Sequence, residues 1–119
     1  MIRALDIGGR AVAVAEGGSG GPLVDLHRFA DIHATSSEWL PFHRALAAQV
    51  CVVAPAHSGC GPSEEDEDID SIEDVIFHYL QLLDALDIGE FHLAGASIGG
   101  WIAAEIAIRI AERVRSLAL

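Results

Sequence analysis

The stretch HLAGASIGGWIAAEIA, residues 92–107, sets an apolar run, a glycine-flanked serine and an Ala/Ile-rich helical run in immediate succession. A strand needs sheet partners and a helix needs a sheet face to cover, so a strand that turns directly into a helix is half of a parallel crossover unit. The helical pattern, from about Ile98 to Glu112, is apolar on nearly every side and predicts deep burial. The rest of the chain repeats the theme. PLVDLH, VCVVA and EFHLAG are brief apolar runs, most with β-branched members, with helical patterns between them, and the final RVRSLAL reads as a further strand. Residues 2–7 and 10–16 are short apolar segments around Gly8-Gly9, where a tight hairpin turn needs positive φ. The expected fold is α/β: a mainly parallel sheet with helices on both faces, starting with an antiparallel β-hairpin.

Two helix starts carry a capping box, Thr35 with Glu38 and Ser71 with Asp74. From Ser71 on, Ile72, Val75, Ile76, Tyr79, Leu83 and Leu86 form one apolar stripe. A length of 119 residues, 51% of them apolar, suits one domain. The sequence stops in or just after the last strand without a cap or polar tail, so residues 1–119 are expected to be a single domain cut short.

Composition excludes several classes of function. A net charge of -11 with seven scattered Lys and Arg argues against nucleic acid. No run of 18 apolar residues and no secretory signal occur, which predicts a cytoplasmic chain with no membrane partner. The two cysteines have no disulfide or metal spacing. The acidic run at 64–74 lacks the ordered glycine and ligand spacing of a calcium loop and reads as a solvated loop leading into a helix. No metal and no cofactor are expected.

Gly95-Ala96-Ser97-Ile98-Gly99 fits G-x-S-x-G, and it lies where that motif acts, after a strand and before a helix. Small flanking residues permit a sharp turn that lifts the serine hydroxyl above the sheet, with the Ile98 N–H facing a developing oxyanion. Two other readings stand beside it. A dinucleotide-binding turn would share Gly95 and Gly99 but has Trp101 in place of its last glycine, and a bland turn would simply let strand and helix pack closely.

The wider series, an apolar strand ending in Leu-His, a Trp-x-Pro helix, a strand ending in Ala-Pro, Gly59-x-Gly61-x-Ser63, the serine turn and ERVRSLAL, resembles the N-terminal half of the α/β-hydrolase fold family over nearly the whole chain. The resemblance implies Ser97 as nucleophile, a carboxylate and a histidine following it in chain order, and a second oxyanion donor at the Phe29 N–H within HRFAD. It also implies acyl transfer to water from a small-molecule acyl substrate. The chain departs from the pattern in places. His27-Arg28 stands where the family has His-Gly, and Asp25 sits inside a strand expected to be buried, where an edge-facing or Arg-paired charge is the simplest reading and a recruited functional acid the sharper one. His27, His33, His43, His57, His78 and His92 all precede Ser97, and none occupies the family's position for the base. His27, at a strand end, and His57, in a loop, are candidates for the neighbourhood of the site, with packed or solvated histidine as the bland reading of each. Two functions are therefore expected: a serine hydrolase inactive in this chain for want of its acid and base, or a non-catalytic relative or decayed gene product. A nucleotide-binding α/β protein comes third.

Overall fold

The structure, a computed structural model, describes residues 2–28, 41–60 and 63–119. Strands β1 (Ile2–Ile7) and β2 (Arg10–Gly17) form the expected antiparallel hairpin. Its turn uses Gly8 and Gly9 at φ 62° and 88°, and the Asp6 carboxylate accepts the Gly9 N–H at 2.8 Å. Strand β3 (Pro22–Leu26) lies between β4 (Cys51–Pro55) and β5 (Phe91–Gly95), parallel to both, and β6 (Val114–Ala118) adds in parallel to β5. β2 joins β4 antiparallel, so the six-stranded order is β1-β2-β4-β3-β5-β6.

Among the described residues three α-helices cover this sheet: α1 (Pro41–Ala47), α2 (Ile72–Ala85) and α3 (Ile98–Arg109). The path β3–α1–β4 steps one way across the sheet, whereas β4–α2–β5 and β5–α3–β6 step the other way. Right-handed crossovers therefore put α1 on one face and α2 with α3 on the opposite face. Side-chain alternation along β3 agrees: Val24 and Leu26 pack with Tyr79, Leu82 and Ile106, and Asp25 turns to α1. Phe91, Leu26, Leu93, Val52 and Ile106 are among the fully buried residues that build the core.

Five expectations change or fall outside the described residues. Asp25 is not an edge charge, because β3 is interior to the sheet; it is buried and meets His43 Nε2 at 3.0 Å. The last helix stops at Arg109 instead of Glu112. Ile110 leaves helical space at φ -131°, a 3₁₀ turn follows at Ala111–Arg113, and the Arg113 guanidinium binds the Gly89 and Ile88 carbonyls, which draws the chain to the start of β6. At α2 the Ser71 hydroxyl caps the Asp74 N–H at 3.2 Å as expected, but Asp74 returns its carboxylate to the Asp70 N–H. The Thr35 and Glu38 box and Phe29 lie outside the described residues. Among the described residues no helix is long and apolar enough to cross a membrane.

Candidate active site

The C-terminal ends of β3 and β5 lie side by side, with Leu26 in register with Gly95, and the turn after β5 is built on their contact. The Ala96 N–H donates to the Leu26 carbonyl at 3.3 Å, and Gly99 N–H to the Ala96 carbonyl at 3.0 Å. Ser97 sits at φ 56°, ψ -121°, a left-handed setting that costs a non-glycine residue on the order of 1–3 kcal/mol. The two glycines make that setting possible. A Cβ on Gly99 would stand 2.1 Å from the Leu26 carbonyl oxygen, and one on Gly95 2.3 Å from the Gly99 oxygen. Strand, turn and helix are thus in backbone contact, and Ser97 is left exposed at the tip. Ile98 opens α3, so its N–H is among the donors that a helix's first turn leaves without an internal partner.

Of the two candidate neighbours, His27 and His57 are brought to each other. Their rings stack at 3.9 Å between centroids, just past β3 and β4, and both are buried. Their hydrogen bonds fix both tautomers. His27 Nδ1–H donates to the Arg28 carbonyl at 2.8 Å, and its Nε2 accepts the His57 N–H at 3.0 Å. His57 Nε2–H donates to the His27 carbonyl at 2.6 Å, which leaves Nδ1 to accept the Tyr79 hydroxyl. Burial, followed by the proximity of His27, lowers the His57 pKa to about 4. Burial likewise pushes the Tyr79 phenol up. His57 is therefore a neutral, saturated tie between backbone and helix. It has no free nitrogen with which to take a proton from Ser97, and among the described residues no histidine hydrogen-bonds the Ser97 hydroxyl.

Cavities open on either side of the turn. The larger, about 460 Å³, lies between α2, the start of α3 and the loops after β4 and before α2, and Ile98, Trp101 and Tyr79 help line it. The other, about 240 Å³, is lined by Asp25, Leu26, His27, Arg28, Phe42, His43 and Ala96. Ser97 is flanked by two cavity-lining residues: Ala96 lines the smaller cavity, whose wall includes Asp25, His27, Arg28 and His43, and Ile98 lines the larger, apolar one. The smaller cavity holds what the sequence did not reveal. Asp25 and His43 are 18 positions apart, and only the β3–α1 crossover makes them partners. The sole signal was a carboxylate in a strand too apolar to leave it alone.

The model of the alpha/beta hydrolase family matches residues 17–119. A dihydrolipoyllysine-residue acetyltransferase component of an acetoin cleaving system from Pseudomonas putida is 39% identical over 119 residues, covering 96% of this chain and 30% of the relative. A 2-hydroxymuconate semialdehyde hydrolase from Pseudomonas sp. (strain CF600) is 38% identical over 105 residues, covering 87% of this chain and 37% of the relative. The chain thus spans about a third of the length of these curated relatives. Among solved structures, a membrane phospholipase A described as a bacterial virulence factor superposes with a TM-score of 0.87 at 31% identity, covering 100% of this chain and 38% of the other.

Proposed function

The chain belongs to the alpha/beta hydrolase family, and on that premise we propose that it carries the nucleophile-bearing part of a serine hydrolase, with Ser97 attacking an ester or similar acyl substrate. The observation that carries this reading is the Ser97 backbone at φ 56°, ψ -121° between two glycines that admit no side chain. A turn needed for packing alone would take glycine at the strained position too. Placing serine there accepts a conformational cost that a protruding hydroxyl at a helix N-terminus repays in chemistry. In the reaction Ser97 Oγ bonds to the acyl carbon, its proton passes to a base, the alcohol departs, and water then releases the acid. The Ile98 N–H holds the oxyanion, with Phe29 as the expected second donor. An acetyltransferase, a semialdehyde hydrolase and a phospholipase A stand among the relatives, and acyl transfer is the chemistry that a seryl nucleophile offers.

His27 and His57 are packed and cannot act as the base, so the 119-residue chain turns over slowly. Losing a triad member costs on the order of 10⁴ to 10⁶ in rate. The test has two parts. A fluorophosphonate incubated for hours with the chain is expected to label Ser97 in preference to the other serines, read by peptide mass spectrometry, while p-nitrophenyl acetate is hydrolysed at close to the background rate. Labelling that shows no preference for Ser97 over the other serines removes the nucleophile. Fast hydrolysis that disappears in Ser97→Ala shows instead that a base is already present.

A further inference from the structure

We propose that the cavity between α2 and the start of α3 is the binding pocket for an uncharged, mainly apolar group of the substrate, a hydrocarbon chain or ring joined to the carbonyl that Ser97 attacks. The proposal rests on the nucleophile reading above and adds the substrate class. Proximity is the first support: Ile98, the residue next to Ser97 in the chain, forms part of the wall. Size is the second. About 460 Å³ lies within the range of pockets that enclose small ligands.

The third support is the chemistry of the wall. Ile69, Ile72, Val75, Ile98 and Ile102 supply hydrocarbon, and the titratable groups among them are held uncharged. Burial lowers the pKa of His57 to about 4 and also lowers that of His78; it raises those of the Tyr79 phenol and the Cys60 thiol. Asp70 belongs to the exposed rim. Among the described residues no cation faces the pocket, and the net charge of -11 repels anions. The buried His78 Nε2 has no hydrogen-bond partner, so one neutral hydroxyl or carbonyl on the ligand is compatible with this wall, whereas a carboxylate is not.

The experiment uses binding, which needs no turnover. In the Trp39→Phe chain, where Trp101 on the cavity wall is the remaining tryptophan, its fluorescence is titrated with straight-chain methyl ketones of increasing length and with carboxylates of equal length. Affinity should rise about fourfold per added methylene until the cavity fills, with the carboxylates at least about tenfold weaker. Ile69→Trp, in the loop before α2, should flatten that series, read by calorimetry because it adds a fluorophore; Val75→Trp is the second blocking variant should the first fail to fold. A series with no length dependence, carboxylates that bind as well as ketones, or blocking variants that keep the full series would each overturn the pocket. Ser97→Ala should bind the series unchanged. Ser97 labelling with a flat series therefore sinks the pocket alone, and a steep series without labelling sinks the nucleophile alone.

Discussion

Gly99 is the residue on which the turn depends most, and it separates a backbone requirement from a helix preference. Its missing Cβ leaves the Leu26 and His27 carbonyls against α3, at 2.1 and 2.7 Å from where a methyl group would stand. Both are backbone atoms in or beside the central strand, so they cannot swing away. Gly99→Ala is expected to cost about 3 kcal/mol or more in urea denaturation. Gly100→Ala is the contrast. Its added Cβ would lie 3.3 Å from the Gly95 oxygen, a crowding offset by the roughly 1 kcal/mol that alanine gains over glycine in a helix, so the net change should stay within about 1 kcal/mol. Equal losses in the two variants would mean that the close approach of α3 to β3 is not what the turn requires. This part of the site was legible in the sequence because the constraint is local: small residues on both sides of one serine, between a strand and a helix, describe a turn without reference to anything distant. Asp25 and His43 were not legible as a pair, since their 3.0 Å contact exists only once β3 and α1 are packed.

At the scale of elements, the His27–His57–Tyr79 chain ties the ends of β3 and β4 to the middle of α2. It makes folding sensitive to pH in a definite direction. His57 ordinarily titrates near 6.5 and is lowered to about 4 in the fold. Between those values the unfolded chain binds a proton that the folded chain refuses, so this stability is complete above about pH 6.5 and is lost as pH falls toward 4. The loss from His57 alone should reach roughly 3 kcal/mol by pH 4. His78, also lowered by burial, adds to it with the same sign. His27 and His78 are titratable neighbours whose protonation would lower the His57 pKa further, and Tyr79 and Cys60 remain neutral throughout this range. Urea midpoints measured from pH 8 to pH 4 should fall less steeply for His57→Gln than for the parent chain; parallel curves would show that His57 is not the refused proton. Most elements were readable in advance, since period-two and helical patterns survive any packing. The end of α3 was not, because Arg113 pulling on the Gly89 and Ile88 carbonyls stops the helix, not a change in its apolar pattern. The Tyr79 hydroxyl was hidden for the same reason: its position marked it as part of an apolar stripe, and its polar tip found a partner only across the fold.

The described residues form an open sheet whose outer strands are β1 and β6. β1 offers neighbours a charged surface, with Arg3 bridged to Glu16 at 2.9 Å and Asp6 at its end. β6 is different. Among the described residues it pairs with β5 alone, nearly all of it is exposed, and Leu117 is 40% open to solvent beside the single charge of Arg115, which is itself paired with Glu90. An exposed strand edge with an apolar side chain and no unpaired charge is a template for another strand. Repulsion between copies, each at -11, opposes that pairing and weakens as salt shortens the screening length to about 10 Å at 0.1 M. The chain should therefore self-associate as concentration and ionic strength rise, read by sedimentation velocity. Leu117→Glu places a charge on the edge and should weaken association about tenfold or more. The same charge on the solvent side of α2, Gln81→Glu, alters net charge equally without touching the edge, so it measures general repulsion alone. Equal effects of the two variants would assign the association to charge and not to β6, and a chain that sediments as a monomer at high salt would show that the edge is protected after all.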